Sequence, residues 1–171
     1  PGVDMTSGSL GQGISAAVGM ALSAKLTGDT YRVYAVLGNG ELEEGQVWEA
    51  MMFAGNKQLD NLVIVADSNG IQLDGTVEEI NSPQPIDEKM KAFHIHPIVV
   101  DGHDFDQLHR AFEEARTVKG QPTAIIAKTV KGKGVSYMEN QVSWHGSAPN
   151  KEQYEKAMEE LEKAGEALCQ K

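Results

Sequence analysis

The chain has 171 residues, 25 acidic against 15 basic side chains, and a formal net charge of −10. That length supports a domain with a sizeable core, while the acid excess disfavours nucleic-acid and anionic-membrane partners and leaves a phosphate ligand in need of a cation. The single cysteine, Cys169, excludes an intramolecular disulfide and a multi-thiolate zinc cluster. No stretch reads as a signal peptide or membrane span, so the expected setting is the cytoplasm.

The chain opens Pro1-Gly2-Val3-Asp4, without an initiator Met, and enters a Gly, Ser and Thr cluster over Thr6 to Gly13. Ile14, Ala17, Val18, Ala21 and Leu22 then recur at helical spacing to about Leu26. Tyr31 to Leu37 predicts a largely buried strand ending at Gly38-Asn39-Gly40. A helix follows over about Glu43 to Lys57, with Val47, Met51, Phe53 and Ala54 as its apolar positions and Met51, Met52 and Phe53 expected in the core. Asn61 to Asp67 is the clearest buried strand, and it ends in Ser68-Asn69-Gly70.

Weaker signals continue the alternation: a short helix near Asp87 to Phe93, a strand over Pro97 to Val100 ending at Asp101-Gly102-His103-Asp104, a helix over Phe105 to Val118 and a strand over Pro122 to Thr129. His94 and His96 alternate as a strand pair would, but lack a nearby third metal ligand. Residues 130–150 read as an extended loop, and Lys151 to Leu168 as a charged amphipathic helix within 151–171, exposed or facing a partner. Alternating strands and helices predict an α/β, doubly wound, mostly parallel sheet with helices on both faces, in one domain over 1–171. Ligands of such sheets sit outside the strands' carboxyl ends.

Two phosphate motifs fail there. The dinucleotide fingerprint needs a third glycine where Glu43 stands, and a Walker loop needs Lys-Ser/Thr where Gln46-Val47 stands. Glu41, Glu43 and Glu44 would also repel a bare phosphate unless a divalent cation intervened. Asn39 and Asn69 are separated by about one helix and one strand, which returns the chain to the same sheet edge. Their amide oxygens and a carbonyl near Ile71 form an oxygen donor set for Mg²⁺ or another divalent cation. Taken singly, each Asn-Gly is ordinary turn chemistry; the paired placement favours ligation.

The series Gly8-Ser9-Leu10-Gly11-Gln12-Gly13, Gly38-Asn39-Gly40-Glu41, Glu44-Gly45-Gln46-Val47-Trp48-Glu49-Ala50, Asp67-Ser68-Asn69-Gly70-Ile71-Gln72-Leu73-Asp74-Gly75, Asp101-Gly102-His103-Asp104 and Trp144-His145-Gly146-Ser147-Ala148-Pro149 resembles the transketolases, in family order, up to about residue 150. The resemblance is to the N-terminal, diphosphate-binding half, as found in the separate N-terminal chain of split transketolases. It implies thiamine diphosphate and Mg²⁺, with Gly8, Leu10, Gly40, Asn69, Ile71 and His145 at the cofactor and Asn39, Asn69 and Ile71 at the metal. Catalytic roles fall on His145, beside the diphosphate and reacting thiazolium carbon, and on Glu44, which would communicate across a subunit interface with the glutamate activating the aminopyrimidine. Glu44 equally suits the first turn of a helix, where the macrodipole favours acid, and His103 reads as a loop-stabilising hydrogen-bonder.

The implied reaction is two-carbon ketol transfer between phosphorylated sugars, as in pentose phosphate metabolism. The activating glutamate has no candidate here, so the resemblance implies as partner a pyrimidine-binding C-terminal transketolase subunit, in a dimer or heterotetramer. It also implies an upstream segment bearing further histidines. Asn39 departs from the family motif, which has Asp, and so weakens the expected metal site. The alternatives are another thiamine diphosphate enzyme, namely a deoxyxylulose-phosphate synthase or the first component of a 2-oxo acid dehydrogenase, and a non-catalytic structural subunit.

Overall fold

The computed structural model describes residues 2–169. Helix α1 (Gln12–Thr27) is followed by strand β1 (Val33–Gly38), a 3-10 turn at Glu41–Glu43 and helix α2 (Gly45–Asn56). Strand β2 (Leu62–Ser68), the one-turn helix α3 (Val77–Ile80), α4 (Ile86–Ala92), β3 (His96–Asp101), α5 (Phe105–Thr117) and β4 (Thr123–Lys128) come next. After β4 the chain runs through a long loop, broken by a 3-10 turn at Val142–Trp144, into helix α6 (Lys151–Cys169). The expected helix over 151–171 is thus present up to Cys169; Gln170 and Lys171 lie outside the described residues, as does Pro1.

The four strands are parallel in the order β1-β2-β4-β3. Leu62, Val63, Ile64 and Ala66 are buried on both faces of β2, which is why that strand reads as a continuous apolar run. One face packs against α1, α2 and α4 through Ile14, Val18, Val47, Met51, Met90 and their neighbours. The other is covered by α5, whose Ala111 and Ala115 sit on Val63, Val100, Ile125 and Ala127. Helices therefore lie on both faces, as the doubly wound pattern requires. Strand β1 is not the largely buried strand its composition suggests: Leu37 is its one buried residue, and on this second face Tyr34 and Val36 are exposed, Tyr34 meeting Phe112 of α5 edge-on at 6.0 Å.

Local chemistry sets the boundaries. Gly28 ends α1 in a left-handed conformation and returns its N–H to the Ala24 carbonyl. The Asp104 side chain caps α5 by accepting the N–H groups of Asp106 and Gln107. Thr76 caps α3 by accepting the Glu79 N–H, while its hydroxyl donates to the Glu79 carboxylate.

Two expectations about packing are corrected. Met51 is fully buried, but Met52 and Phe53 point outward, Phe53 lying under Lys57 Nζ at 5.7 Å. The inward stripe of α2 is Val47, Ala50, Met51 and Ala54, at i, i+3, i+4 and i+7, and Met52 and Phe53 fall off it. His94 sits outside β3 in a left-handed turn (φ 59°), while His96 lies within the strand and pairs with Glu114 at 2.7 Å. The two histidines do not form a strand pair.

Candidate functional site

All four strands end on one edge, with Gly38 beside Asp67 and Asp101 beside Lys128. The turns after β1 and β2 are consequently neighbours. Asn39, only 2% exposed, accepts the Gly70 N–H on Oδ1 at 2.7 Å. Asn69 accepts the Ile71 N–H on its own Oδ1 at 2.9 Å and donates Nδ2 to Asp67 Oδ2 at 3.0 Å. Asp67 takes a further hydrogen bond from the Thr129 hydroxyl, which ties the end of β4 into the cluster. Asn39, Asn69 and Ile71 are thereby brought together.

The glycine-rich turn before α1 is fastened to the same end by Glu41, a residue whose sequence context suggested only a repulsive charge. Glu41 accepts the Gly11 N–H on Oε1 at 2.9 Å and the Gly38 N–H on Oε2 at 3.3 Å. Gln46 adds a second tie, donating to the Ser15 hydroxyl at 3.0 Å and accepting from Gln12 Nε2 at 2.9 Å. Gly11 is buried in a left-handed conformation (φ 85°), and a Cβ there would lie 3.2 Å from Gln46 Cβ. Gly8 and Leu10 sit exposed on this turn.

The cluster offers an anion both a donor and room. Asn39 Nδ2 is buried without a partner, at a cost of about 1–3 kcal/mol that a ligand oxygen would offset. A Cβ added at Gly8, Gly38 or Gly70 would meet nothing within 4 Å. Gly40 is different: a Cβ there would stand 2.9 Å from Gln72 Cβ, so the loop after β2 itself demands glycine at that position. The carboxylates of Glu41 and Asp67 already accept hydrogen bonds from the protein.

These residues fit the diphosphate of the cofactor that the resemblance implies. A divalent cation fits less well. Asn69 Oδ1 and the Ile71 carbonyl are oxygen donors, whereas the free end of Asn39 is an NH₂ group, which cannot ligate one. Among the described residues no group of three or more His, Cys, Asp or Glu is placed to hold a metal.

The side chains of the other two expected residues make no hydrogen bond within this cluster, although Glu44 Cβ would lie 3.7 Å from a Cβ placed on Gly11. Glu44 is exposed at the start of α2 in extended conformation, with no side-chain bond to the helix. Beside it, Glu43 has its carboxyl held above the ordinary glutamate range, first by burial and then by the Glu44 charge.

His145 is exposed just after the 3-10 turn, with Nδ1 3.3 Å from Lys131 Nζ. Lysine can only donate, so Nδ1 is the acceptor and, in the neutral ring, Nε2 carries the proton. The Lys131 loop is anchored by His103, whose Nε2 accepts the Val130 N–H at 2.8 Å; His103 is thus the loop-stabilising hydrogen-bonder its motif suggested. An open cleft of about 580 Å³ lies at this end, lined by Asp101, His103, Gln107, Lys128 and Lys133 among others.

Comparison with known proteins places these turns in a family. A family model described as "Transketolase, thiamine diphosphate binding domain" matches residues 1–165. The 6-deoxy-6-sulfo-D-fructose transketolase subunit SqwG of Clostridium sp. (strain MSTE9) is 44% identical over 96% of this chain and 60% of its own length. One of the subunits of the apulose-4-phosphate transketolase of Phocaeicola vulgatus is 38% identical over 98% of this chain and 60% of its own. Human transketolase is 45% identical over 92% of this chain but only 25% of its own length. The chain thus spans about 60% of the two subunit-type relatives.

The crystal structure of Campylobacter jejuni transketolase superposes with a TM-score of 0.87 at 33% identity, covering 92% of this chain and 26% of that one. No described helix is long and apolar enough to cross a membrane. The parallel sheet, the glycine turn clamped to its carboxyl edge and the match over residues 1–165 have one common reading: the chain belongs to the transketolase family, as its thiamine diphosphate binding domain.

Proposed function

We propose that this chain is one diphosphate-binding domain of a transketolase-type enzyme that transfers a two-carbon ketol unit between sugars, in complex with a separate pyrimidine-binding chain. The carrying observation is the convergence of the Gly8–Gly11 turn, Asn39 and the Asn69–Ile71 turn at one end of the sheet, around a buried donor without a partner. Two relatives named as transketolase subunits, each about 60% covered, support a divided enzyme. One is named for a sulfosugar and the other for a sugar phosphate. The substrate class taken from them is a sugar bearing an anionic group, phosphorylated sugars first.

Bound thiamine diphosphate supplies the carbanion chemistry at its thiazolium carbon, and the protein supplies orientation and electrostatics. Gly8, Leu10, Gly40, Asn69 and Ile71 would hold the diphosphate, and Asn69 Oδ1 and the Ile71 carbonyl would be the oxygen ligands left for Mg²⁺. His145 would act as a proton donor through its Nε2–H, with Lys131 fixing the tautomer. Glu44 faces the partner chain. The activating carboxylate comes from that partner.

The test is reconstitution. The chain with its partner is expected to bind thiamine diphosphate and transfer ketol units from a ketose phosphate, while the chain alone turns nothing over. Turnover by the chain alone would remove the partner requirement. Decarboxylation of pyruvate by the complex would move the assignment to another thiamine class, and absence of cofactor binding would leave a structural role.

A further inference from the structure

Asn39 has one amide oxygen and one NH₂ group, and the structure spends the oxygen. Oδ1 accepts the Gly70 N–H at 2.7 Å, a length typical of a well-made bond. Turning the amide over would set its NH₂ against the Gly70 N–H, donor against donor, so the neighbouring backbone fixes which end is free. The free end is Nδ2, buried and unpartnered in a residue that is 2% exposed. Nothing among the described residues accepts from it.

An aspartate at this position would behave differently. One carboxylate oxygen would take the Gly70 N–H and the other would present a negative charge to a cation. With Asn39 that second position carries N–H groups of positive polarity, which repel a cation and attract a phosphate oxygen. The remaining oxygen donors, Asn69 Oδ1 and the Ile71 carbonyl, are uncharged, and Asn69 Oδ1 already accepts the Ile71 N–H. Mg²⁺ favours oxygen donors in a near-ideal octahedron and sheds its water reluctantly.

We propose that Asn39 Nδ2 is a direct hydrogen-bond donor to a diphosphate oxygen, which makes diphosphate binding by this chain largely independent of divalent cations. The proposal rests on the diphosphate reading above and adds to it the manner of recognition.

The experiment is calorimetric titration of thiamine diphosphate into the full chain with its partner, once with EDTA and once with excess Mg²⁺, for the wild type and Asn39→Asp. The wild-type dissociation constant is expected to differ by less than about threefold between the two conditions, whereas Asn39→Asp should need Mg²⁺ and tighten by about tenfold or more on its addition. Mg²⁺ alone should raise the melting temperature of Asn39→Asp and leave that of the wild type unchanged. Asn39→Ala, which loses the donor without gaining a ligand, should weaken the EDTA titration by about tenfold; it serves as the second arm if the aspartate variant folds poorly.

Wild-type binding that appears only with Mg²⁺, or Asn39→Ala binding as tightly as wild type in EDTA, would overturn the proposal while leaving the diphosphate reading intact. Failure of every variant to bind under either condition would overturn both.

Discussion

At the ends of β1 and β2, buried or half-buried side chains are tied to backbone N–H groups: Glu41 to Gly11 and Gly38, Asn39 to Gly70, Asn69 to Ile71. At the ends of β3 and β4, the histidine side chains are exposed, with His103 bound to Val130 and His145 to Lys131 of the loop that follows. The first arrangement fixes backbone positions around a ligand's charged end; the second leaves a titratable side chain free to meet a reacting group. The two halves of one sheet edge thus divide holding from chemistry, so substitutions at each should fail in different ways.

The largest expected effect is at the β3–β4 half. His145→Ala should lower turnover of the reconstituted enzyme by about 10²–10⁴-fold, the usual worth of a positioned acid or base, with no shift in unfolding midpoint because the side chain is exposed. A variant that unfolded earlier but kept its rate would reverse the assignment of the two halves. Glu41→Ala should do the opposite. It strands the N–H groups of Gly11 and Gly38, and urea unfolding should show a loss of about 1–3 kcal/mol with an unchanged denaturant slope.

Glycine substitutions probe the same contrast sterically. At Gly102 a Cβ would press on Thr129 Cγ2 and lie 3.1 Å from Ala127 Cβ and 3.2 Å from the Lys128 carbonyl. At Gly40 the close contact is the Gln72 side chain. Gly102→Ala is therefore expected to cost about 1–3 kcal/mol by overpacking, and Gly40→Ala less, since a Cβ at Gly102 meets three close atoms, a backbone carbonyl among them, and one at Gly40 meets Gln72 alone. Equal losses in thermal denaturation would show the two ends to be equally rigid.

Sequence patterns carried the fold further than the site. β2 and α5 are legible because a continuous apolar run and a periodic segment after a polar turn each have one structural meaning. The outward turn of Met52 and Phe53 follows from the helical period, which puts Val47, Ala50, Met51 and Ala54 on one stripe; the apolar character of the two residues alone points the wrong way. Four residues of α3 carry no readable period. At the site, the meeting of Asn39 with the Asn69 turn follows from parallel strands alone. The clamp formed by Glu41 does not, since its partners are backbone N–H groups and one of them, on Gly11, is 30 positions away. The tautomer of His145 depends on Lys131, which reaches it only through the fold of the 130–144 loop. Such contacts leave no periodic mark.

The smallest expected effect tests whether the acidic turn is a cost of the β1–β2 half. Burial, with the Glu44 charge second, raises the Glu43 carboxyl above the ordinary glutamate value of 4.5, and its Oε1 is buried without a partner. A raised folded-state value means the folded chain holds this proton more tightly than the unfolded chain. The associated stability is complete below the ordinary value and is lost as pH rises through the folded one. At neutral pH the charge therefore opposes folding. Glu43→Gln, neutral throughout, should melt slightly later than wild type at pH 7, and the gap should close as the pH falls below about 4. The gain stays small because the glutamine amide inherits the unpartnered position. A gap that persisted at low pH would assign the effect to packing instead of charge, and a variant less stable at pH 7 would show that Glu43, like Glu41, holds the turn together.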